Sequence, residues 1–230
     1  MAPNNIDNTQ LRGIGMTSQA TRNRLVERLA SRGIDKQEVL NAIASTPRHL
    51  FVDEAMSHRA YEDKALPIGL GQTISQPYIV AHMTALLLGE RKKLSKVLEV
   101  GTGSGYQAAI LALLSEQVFS LERIEQLLRQ ARRRFRQLGL HNILTRYSDG
   151  QIGWPGQAPF DGIIVTAACR KIPEELPEQL AVGARLIAPV AHTKEGVNEQ
   201  ILMCITRTEE GFIEEQLDAV SFVPLLDGTR

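Results

Sequence analysis

The chain lacks the features that mark a secreted, membrane-bound or nucleic-acid-binding protein. Its 230 residues contain two cysteines, Cys169 and Cys204, too few for a disulfide framework, so a reducing, cytoplasmic location is expected. No apolar run approaches the ~20 residues of a membrane span, and the polar start has no basic or apolar signal region. Because Lys and Arg total 26 and Asp and Glu also total 26, the basic excess of a nucleic-acid scaffold is missing.

The histidines and the length of the chain limit the kinds of site and the number of domains that the sequence can form. The five histidines have no metal-ligand spacing, so no metal site is predicted. The length suits one well-cored α/β domain with a small appendage. The histidines stand at positions 49, 58, 82, 141 and 192.

Residues 97–105, which read Val-Leu-Glu-Val-Gly-Thr-Gly-Ser-Gly, are the most informative segment of the chain. The apolar run Lys96–Val100 predicts a buried parallel strand, and the Ala- and Leu-rich run Tyr106–Leu114 predicts a helix. Glycines between the two let the backbone turn tightly and approach a ligand, and the helix N-terminus offers free N–H groups. Strand, glycine turn and helix therefore predict a nucleotide-type cofactor site.

The glycine spacing narrows the type of cofactor. A dinucleotide fingerprint reads G-x-G-x-x-G, whereas Gly101, Gly103 and Gly105 form G-x-G-x-G, which resembles motif I of class I S-adenosylmethionine-dependent methyltransferases. A second predicted strand, Gln117–Leu121, ends at Glu122, where a carboxylate can accept hydrogen bonds from ribose hydroxyls. The alternative is that Glu122 is a surface residue that begins the next helix, where its charge suits the helix dipole.

The remaining pattern predicts alternating helices and strands, typical of a doubly wound α/β sheet with an antiparallel edge. An Asp35–Glu38 capping box predicts the start of a second helix, and the arginines of the helix after Glu122 are expected to form a solvated face. Residues 61–77 are interrupted by proline and glycine and predict a long loop. The other predicted helices are Arg22–Ser31, Ile79–Leu88, Ile124–Leu138 and Pro173–Leu180, and the other predicted strands are Asn142–Arg146, Phe160–Ala167, Arg185–Val190 and a hairpin of Gln200–Thr206 with Phe212–Phe222.

The long loop carries a family resemblance. Residues 67–78 read Pro-Ile-Gly-Leu-Gly-Gln-Thr-Ile-Ser-Gln-Pro-Tyr. Together with Pro47-Arg48-His49, the motif I glycines, Ser148-Asp149-Gly150 and Phe222-Val223-Pro224-Leu225, this loop resembles the protein-L-isoaspartate (D-aspartate) O-methyltransferases. The similarity runs from about residue 20 to residue 226, and the Gly-Gln-Thr-Ile-Ser-Gln-Pro segment is specific to that family. The chain departs from the family pattern at Ser148 and Ala191, where the family usually has glycine.

The resemblance implies a seven-stranded, mostly parallel methyltransferase sheet with an N-terminal helical cap and a C-terminal extension. It also implies methyl transfer from S-adenosylmethionine to the free carboxylate of L-isoaspartyl residues in damaged proteins, whose ester then collapses to a succinimide. The implied organisation is a loose tail (1–17), a helical cap with the active-site loop (18–90), a cofactor-binding core (91–207) and a C-terminal hairpin (208–230).

Matching positions of the family's motifs assign roles to individual residues. Ser75 is the expected active-site serine, which can orient the acceptor carboxylate; the alternative is a hydroxyl that only stabilises its own loop. The motif Asp149-Gly150 is expected at the adenine. The expected cofactor-binding residues are Thr73, Ile74, Gly101, Gly103, Ser104, Glu122, Asp149 and Gly150, and the expected substrate-binding residues are Pro67, Ile68, Gly69, Gln72, Gln76, Val223 and Pro224.

Two other functions are compatible with the glycine turn alone. The first is an amino-methyltransferase acting on nucleic acid or a small molecule. Nucleic-acid amino-methyltransferases typically have an Asp/Asn-Pro-Pro-aromatic motif after the fourth strand, whereas this chain has Thr166-Ala167-Ala168-Cys169 there. The second is a non-catalytic adenosine-binding module, which would have no reason to keep Ser75. The expected partners are therefore isoaspartyl proteins and peptides, without nucleic acid, membrane or an obligate protein partner.

Overall fold

The computed structural model describes residue 11 and residues 13–194 and 197–230, and a seven-stranded sheet forms its centre. None of the helices in this described part has the length and apolar composition that crossing a bilayer requires. The helices are α1 (Gln19–Ser31), α2 (Gln37–Ser45), α3 (Pro77–Leu88), α4 (Tyr106–Leu114), α5 (Glu125–Gln137) and α6 (Glu175–Glu178). The strands are β1 (Leu66–Gly69), β2 (Gln72–Ile74), β3 (Leu94–Val100), β4 (Ser115–Glu122), β5 (Ile143–Tyr147), β6 (Phe160–Val165), β7 (Leu180–Lys194), β8 (Val197–Arg207) and β9 (Phe212–Ala219).

The central sheet has the strand order β5-β4-β3-β6-β7-β8-β9. Strands β3 to β7 pair in parallel, whereas β8 pairs antiparallel with both β7 and β9 at the edge. The predicted seven-stranded, mostly parallel fold class is thereby confirmed. Because β4 and β5 lie on one side of β3 and β6 and β7 on the other, the order reverses at β3, where open α/β sheets place ligand crevices.

The two faces of the sheet are covered unequally. Val97 of β3 belongs to one apolar cluster with Ile110 of α4 and Leu127 of α5. The next residue, Leu98, points to the other face and joins a second cluster with Trp154, where short helical turns and loops cover the sheet. Strand β3 is therefore buried on both faces, which explains its near-continuous apolar run.

The N-terminal helices share the core of the sheet. Leu25 of α1 and Ile43 of α2 are fully buried in the same cluster as the apolar residues of α4, so these N-terminal helices pack on the helix that follows the glycine turn. The division into tail, cap, core and hairpin stays a prediction. Residues 1–10 and 12 of the predicted tail lie outside the described residues, and Gly15–Thr17 form a short 3-10 turn.

The predicted helix Pro173–Leu180 and strand Arg185–Val190 have the wrong lengths. Helix α6 begins only at Glu175 because Pro177 has no backbone N–H to donate to the Pro173 carbonyl. It ends at Glu178 because Leu180 already pairs with Phe160 as the first residue of β7. Strand β7 continues to Lys194 because its pairing with β8 continues to that residue.

Two local predictions near the N-terminus are also wrong. Residues 61–77 contain the β1–β2 hairpin, whose turn residues Leu70 and Gly71 have φ values of 54° and 74°, as in a type I′ turn. A Leu-Gly pair lacks the usual Asn-Gly signal, so the pattern predicted only a loop. Helix α2 begins after Lys36 without a side-chain cap, so Asp35 is not its N-cap.

Candidate functional site

A cleft opens at the carboxyl ends of β3, β4 and β6, where the strand order reverses. Three segments that are far apart in sequence line it: the end of β2 and the residue after it, the glycine turn with the end of β4, and the C-terminal segment. This cleft brings together most of the predicted site residues, namely Gln72, Thr73, Ile74, Ser75, Gly101, Gly103, Ser104, Glu122, Gly150, Val223 and Pro224.

The glycine turn is held tightly against its neighbours. The Gly101 N–H donates to the Leu121 carbonyl at 2.9 Å. A Cβ at position 101 would lie 2.3 Å from Thr166 Oγ1, and the φ of +101° there also favours glycine. Gly105, with a φ of +89°, packs so closely on Phe135 that a Cβ would come within 2.7 Å of the ring. The backbone of the turn is therefore free of side chains at these points, and α4 begins directly after it.

Glu122 is turned inward at the end of β4 and is only 5% exposed. Its Oε2 accepts a hydrogen bond from the Gly103 N–H at 2.7 Å, and its Oε1 accepts one from the Ile124 N–H at 2.9 Å. Burial raises the pKa of this carboxyl, although these two backbone hydrogen bonds lower it. A carboxylate has about four acceptor positions, so these two hydrogen bonds leave it able to accept from the hydroxyl of a ligand. Glu122 is therefore not the surface residue of the alternative interpretation.

A second buried carboxyl, that of Glu99 in β3, was missed by sequence reasoning. Glu99 is fully buried, and the Ser120 hydroxyl donates a hydrogen bond to its carboxyl. The Ser120 Oγ in turn lies 2.5 Å from Thr102 Oγ1 in the glycine turn. The pKa of Glu99 is raised to about 8, mainly by burial; the Ser120 hydrogen bond opposes the shift and the charge of Glu122 adds to it. The sequence feature that could have revealed this buried carboxyl is a charged residue within an otherwise apolar strand.

Ser75 stands between β2 and α3, and its half-buried side chain lines two connected cavities. One is the cleft, and the other is an adjoining groove that runs from Ala65 and Gln76 to the segment 219–223. Among the residues that the structure describes, the Ser75 hydroxyl has no hydrogen-bond partner, while its carbonyl accepts from Arg48. The hydroxyl is therefore free to bind a ligand and does not stabilise its own loop.

The predicted substrate-binding residues do not all lie at the same cavity. Gln72 and Pro224 line the cleft. Gln76 lines the adjoining groove, and its Nε2 donates to the Asp63 carbonyl at 2.9 Å. Val223 lines both cavities, and its carbonyl accepts from the Ala168 N–H at 2.8 Å, which docks the C-terminal segment beside the end of β6. The structure does not bring the β1 residues to the described lining of either cavity: these are Pro67, Ile68 and Gly69.

Asp149 lies beside the cleft without lining it. Its Oδ1 accepts from the Gln151 N–H at 2.9 Å, and its Oδ2 accepts from the Gly228 N–H at 2.6 Å. Both carboxylate oxygens thus hold backbone groups, while the neighbouring Gly150 lines the cleft. The adenine contact of Asp149 stays a prediction.

The arginines of α5 do not all lie on a solvated face, which corrects that expectation. Arg134 is half-buried, with its Nε donating to the Leu50 carbonyl at 3.0 Å and its Nη1 donating to the Ser104 carbonyl at 3.1 Å. It thus links the glycine turn to the N-terminal segment. A run of arginines does not reveal such a contact, because the partners are carbonyls brought near by folding.

The groups in the cleft suit binding and orientation of a nucleoside ligand. The cleft offers a glycine turn, hydroxyls and the buried Glu122 carboxylate, and Glu122 has acceptor positions left for ribose hydroxyls. Burial raises the pKa of the nearby Cys169 thiol to about 12, so this cysteine is not a thiolate at neutral pH. Within the described ranges, no group of three or more His, Cys, Asp or Glu side chains could hold a metal ion.

Comparisons with known proteins agree with this geometry. A family model described as protein-L-isoaspartate(D-aspartate) O-methyltransferase matches residues 20–230. The chain is 54% identical over 225 residues to the protein-L-isoaspartate O-methyltransferase of Saccharophagus degradans, covering 97% of this chain and 99% of that protein. It is 57% identical over 217 residues to that of Xanthomonas axonopodis pv. citri, covering 94% and 93%.

Two solved structures have the same fold over most of the chain. A solved protein-L-isoaspartate O-methyltransferase aligns with a TM-score of 0.78 at 26% identity, covering 88% of this chain and 65% of its own. A Plasmodium falciparum protein described as a protein-L-isoaspartate O-methyltransferase, in complex with S-adenosyl-L-homocysteine, aligns with a TM-score of 0.74 at 28% identity. That alignment covers 89% of this chain and 98% of the Plasmodium chain.

Proposed function

Because the chain belongs to the protein-L-isoaspartate(D-aspartate) O-methyltransferase family, we propose that it methylates the free carboxylate of L-isoaspartyl residues in damaged proteins. The observation that supports this most is that two segments line one cleft: the segment ending at Ser75, and the glycine turn with Glu122. The first carries the residues specific to the family, and the second carries the features of nucleotide binding. The resulting ester collapses to a succinimide without the enzyme, which begins repair.

The chemistry requires orientation and no general base. An isoaspartyl carboxyl has an ordinary pKa near ~4, so it is ionised and nucleophilic at neutral pH. S-adenosylmethionine supplies an electrophilic methyl group: the carboxylate oxygen forms the new C–O bond while the S–CH3 bond breaks and its electron pair stays on sulfur. No proton is transferred, so the residues of the chain need only bind the reactants, align them and exclude water.

The residues of the cleft fit these tasks. We assign Ser75 to the acceptor, because its hydroxyl, which has no partner among the described residues, can donate to the isoaspartyl carboxylate. We assign Glu122 to the ribose hydroxyls, because both its oxygens keep an acceptor position. The glycine turn can approach the cofactor through its backbone. Further cofactor contacts are assigned to residues that line the same cleft, namely Thr73, Ile74, Ser104 and Gly150.

The adjoining groove is the proposed path of the substrate backbone. It meets the cleft at Ser75 and Val223, so a peptide lying in it would present one carboxylate to the cleft. An isoaspartyl linkage routes the main chain through the side-chain carboxyl, which leaves the α-carboxylate free. The groove would therefore recognise the rerouted backbone, with Gln76 and Val223 among its contacts, while Pro224 lines the cleft that the groove meets.

A matched pair of peptides tests this function. The enzyme is expected to methylate an isoaspartyl peptide and to leave its normal aspartyl twin unlabelled, because only the former presents a free carboxylate on a rerouted backbone. Transfer is measured with S-adenosylmethionine carrying a radiolabelled methyl group, followed by base treatment that releases the label from an ester. Equal labelling of both peptides, or base-stable label, would contradict the proposal.

Ser75→Ala is expected to lower turnover on the isoaspartyl peptide about ten- to a hundred-fold. One hydrogen bond to a charged group contributes roughly 1.5–3 kcal/mol, and the Ser75 hydroxyl has no other task among the described residues. Initial rates at saturating S-adenosylmethionine measure the loss. The control is Ser221→Ala, which removes an exposed hydroxyl from the same groove and is expected to keep wild-type turnover; an equal effect of both substitutions would remove Ser75 from this role.

The proposed location and partners of the enzyme are supported by other features. Cys169 and Cys204 are both free and buried, which supports a reducing, cytoplasmic location. The zero formal net charge supports a protein substrate in preference to nucleic acid or a membrane. Isoaspartyl proteins and peptides are thus the proposed partners.

A further inference from the structure

Arg48 is a buried cation beside the proposed active site. Its side chain is 0% exposed, and its Nε donates to the Ala60 carbonyl at 2.8 Å. Its Nη2 donates to the Ser75 carbonyl at 2.8 Å and lies 3.4 Å from the Lys64 carbonyl. The guanidinium also lies over the Tyr106 ring, 4.7 Å from the ring centroid. One side chain therefore connects the N-terminal cap, the residue after β2 and the first residue of α4.

Among the residues that the structure describes, no ion pair balances the charge of Arg48. No carboxylate in the described part of the chain lies within ion-pair distance of it, and its Nη1 has no hydrogen-bond partner there. Burial lowers the pKa of Arg48 to about 10, so the side chain still carries its charge at neutral pH. A buried charge contributes little to stability, because an apolar side chain of similar size would fill the space with a smaller desolvation penalty. Its contacts therefore point to a role in placing Ser75.

Ser75 depends on its backbone for orientation. Its hydroxyl has no partner among the described residues, so hydrogen bonds of the side chain do not set its direction. The carbonyl of the same residue is held by Arg48 from a distance of 27 residues in sequence. The following residue, Gln76, is held through its side chain by the Asp63 carbonyl. The direction of the Ser75 hydroxyl thus follows from where these contacts hold the loop.

We propose that Arg48 is a positioning residue for methyl transfer: by holding the Ser75 carbonyl, it directs the Ser75 hydroxyl toward the isoaspartyl carboxylate. This inference rests on the role proposed for Ser75. It goes beyond that role because it assigns the placement of the serine to a residue that contacts neither reactant. Loss of Arg48 should then reduce reaction of the isoaspartyl peptide while binding of the cofactor product is kept.

Arg22 provides a matched control within the same cap. It is 3% exposed, its Nη1 donates to the Ala44 carbonyl at 3.1 Å, and its Nη2 donates to the Leu11 carbonyl at 3.0 Å. Its guanidinium lies 5.8 Å from the centroid of the Tyr61 ring. Arg22 thus resembles Arg48 in burial and in type of partner, but it has no contact with Ser75.

The experiment compares Arg48→Lys with Arg22→Lys in the full chain. Arg48→Lys is expected to lower kcat/KM for the isoaspartyl peptide about ten-fold or more, because an ammonium cannot hold the separate carbonyls that the planar guanidinium reaches. Affinity for S-adenosylhomocysteine, measured by calorimetry, should stay within about three-fold of wild type. Arg22→Lys should lower the melting temperature similarly and leave kcat/KM unchanged. Equal kcat/KM for the two variants, or parallel loss of S-adenosylhomocysteine affinity in Arg48→Lys, would overturn the proposal.

A double-mutant cycle with Ser75→Ala separates positioning from general destabilisation. If Arg48 acts through the Ser75 hydroxyl, Arg48→Lys should cost little further activity once that hydroxyl is absent. Full additivity of the two losses would count against the proposal. Should the lysine variant not fold, Arg48→Gln, which removes the buried charge, serves in the same cycle. A wild-type enzyme that does not methylate the isoaspartyl peptide would instead contradict the proposed function, so the two failures are distinguishable.

Discussion

Glu122→Ala is expected to weaken S-adenosylhomocysteine binding about a hundred-fold or more. The carboxylate can accept from two ribose hydroxyls, and each hydrogen bond to a charged group contributes roughly 1.5–3 kcal/mol. The same oxygens hold the Gly103 and Ile124 N–H groups, so alanine also leaves two backbone donors near the cofactor without their acceptor. Calorimetric titration with S-adenosylhomocysteine measures the loss, and the KM for the isoaspartyl peptide should change little.

Two further variants identify the cause of that loss. Glu122→Gln keeps the size of the side chain but replaces one oxygen with a donor that cannot accept from Gly103 or Ile124, so an intermediate loss is expected. Glu125→Ala removes a carboxylate that is 53% exposed and pairs with Arg129 on the surface, so unchanged affinity is expected. If Glu122→Ala binds S-adenosylhomocysteine as tightly as the wild type, the carboxylate does not bind the ribose.

The sequence predicted best those parts of the fold that are specified by the order of neighbouring residues. Strand β3 was predicted because its apolar run ends at glycines, and α4 follows at once in both sequence and structure. The β1–β2 hairpin was missed because Leu70-Gly71 adopts a conformation usually signalled by Asn-Gly. Helix α6 was predicted too long because Pro173 suits a helix start. Pro177, which cannot donate to the Pro173 carbonyl, moves the start to Glu175, and the pairing of Leu180 ends the helix at Glu178.

The candidate site could be predicted where it depends on motifs and not where it depends on tertiary contacts. Ser75 and Glu122 stand in recognisable segments, and folding brings both to one cleft. Arg48 stood in a recognised motif, but its bond to the Ser75 carbonyl exists only once the cap packs on the loop. Glu99 was visible as a charge within an apolar strand, yet its state depends on burial and on Ser120, which the sequence does not specify.

Glu99→Gln is expected to remove a loss of stability that the wild type suffers as pH rises. Burial raises the pKa of Glu99 from 4.5 to about 8. Below 4.5 the carboxyl is protonated in both the folded and unfolded states, so its contribution to stability is fully present there. As pH rises, the unfolded chain ionises first, and stability falls by about 1.4 kcal/mol per pH unit until the folded carboxyl also ionises.

Glutamine is neutral and similar in shape, so it does not have this pH dependence. The free energy of unfolding of Glu99→Gln minus that of the wild type should therefore increase by about 3 kcal/mol from about pH 5.5 to about pH 7.5. Urea unfolding at constant ionic strength measures the difference, in which the shifts of groups that do not interact with Glu99 cancel. The Ser120 hydrogen bond lowers the pKa of Glu99. In Ser120→Ala that pKa should therefore be higher, and stability should keep falling up to a higher pH than in the wild type. A difference that does not change with pH would mean that Glu99 is ionised in the folded protein, with its charge facing that of Glu122.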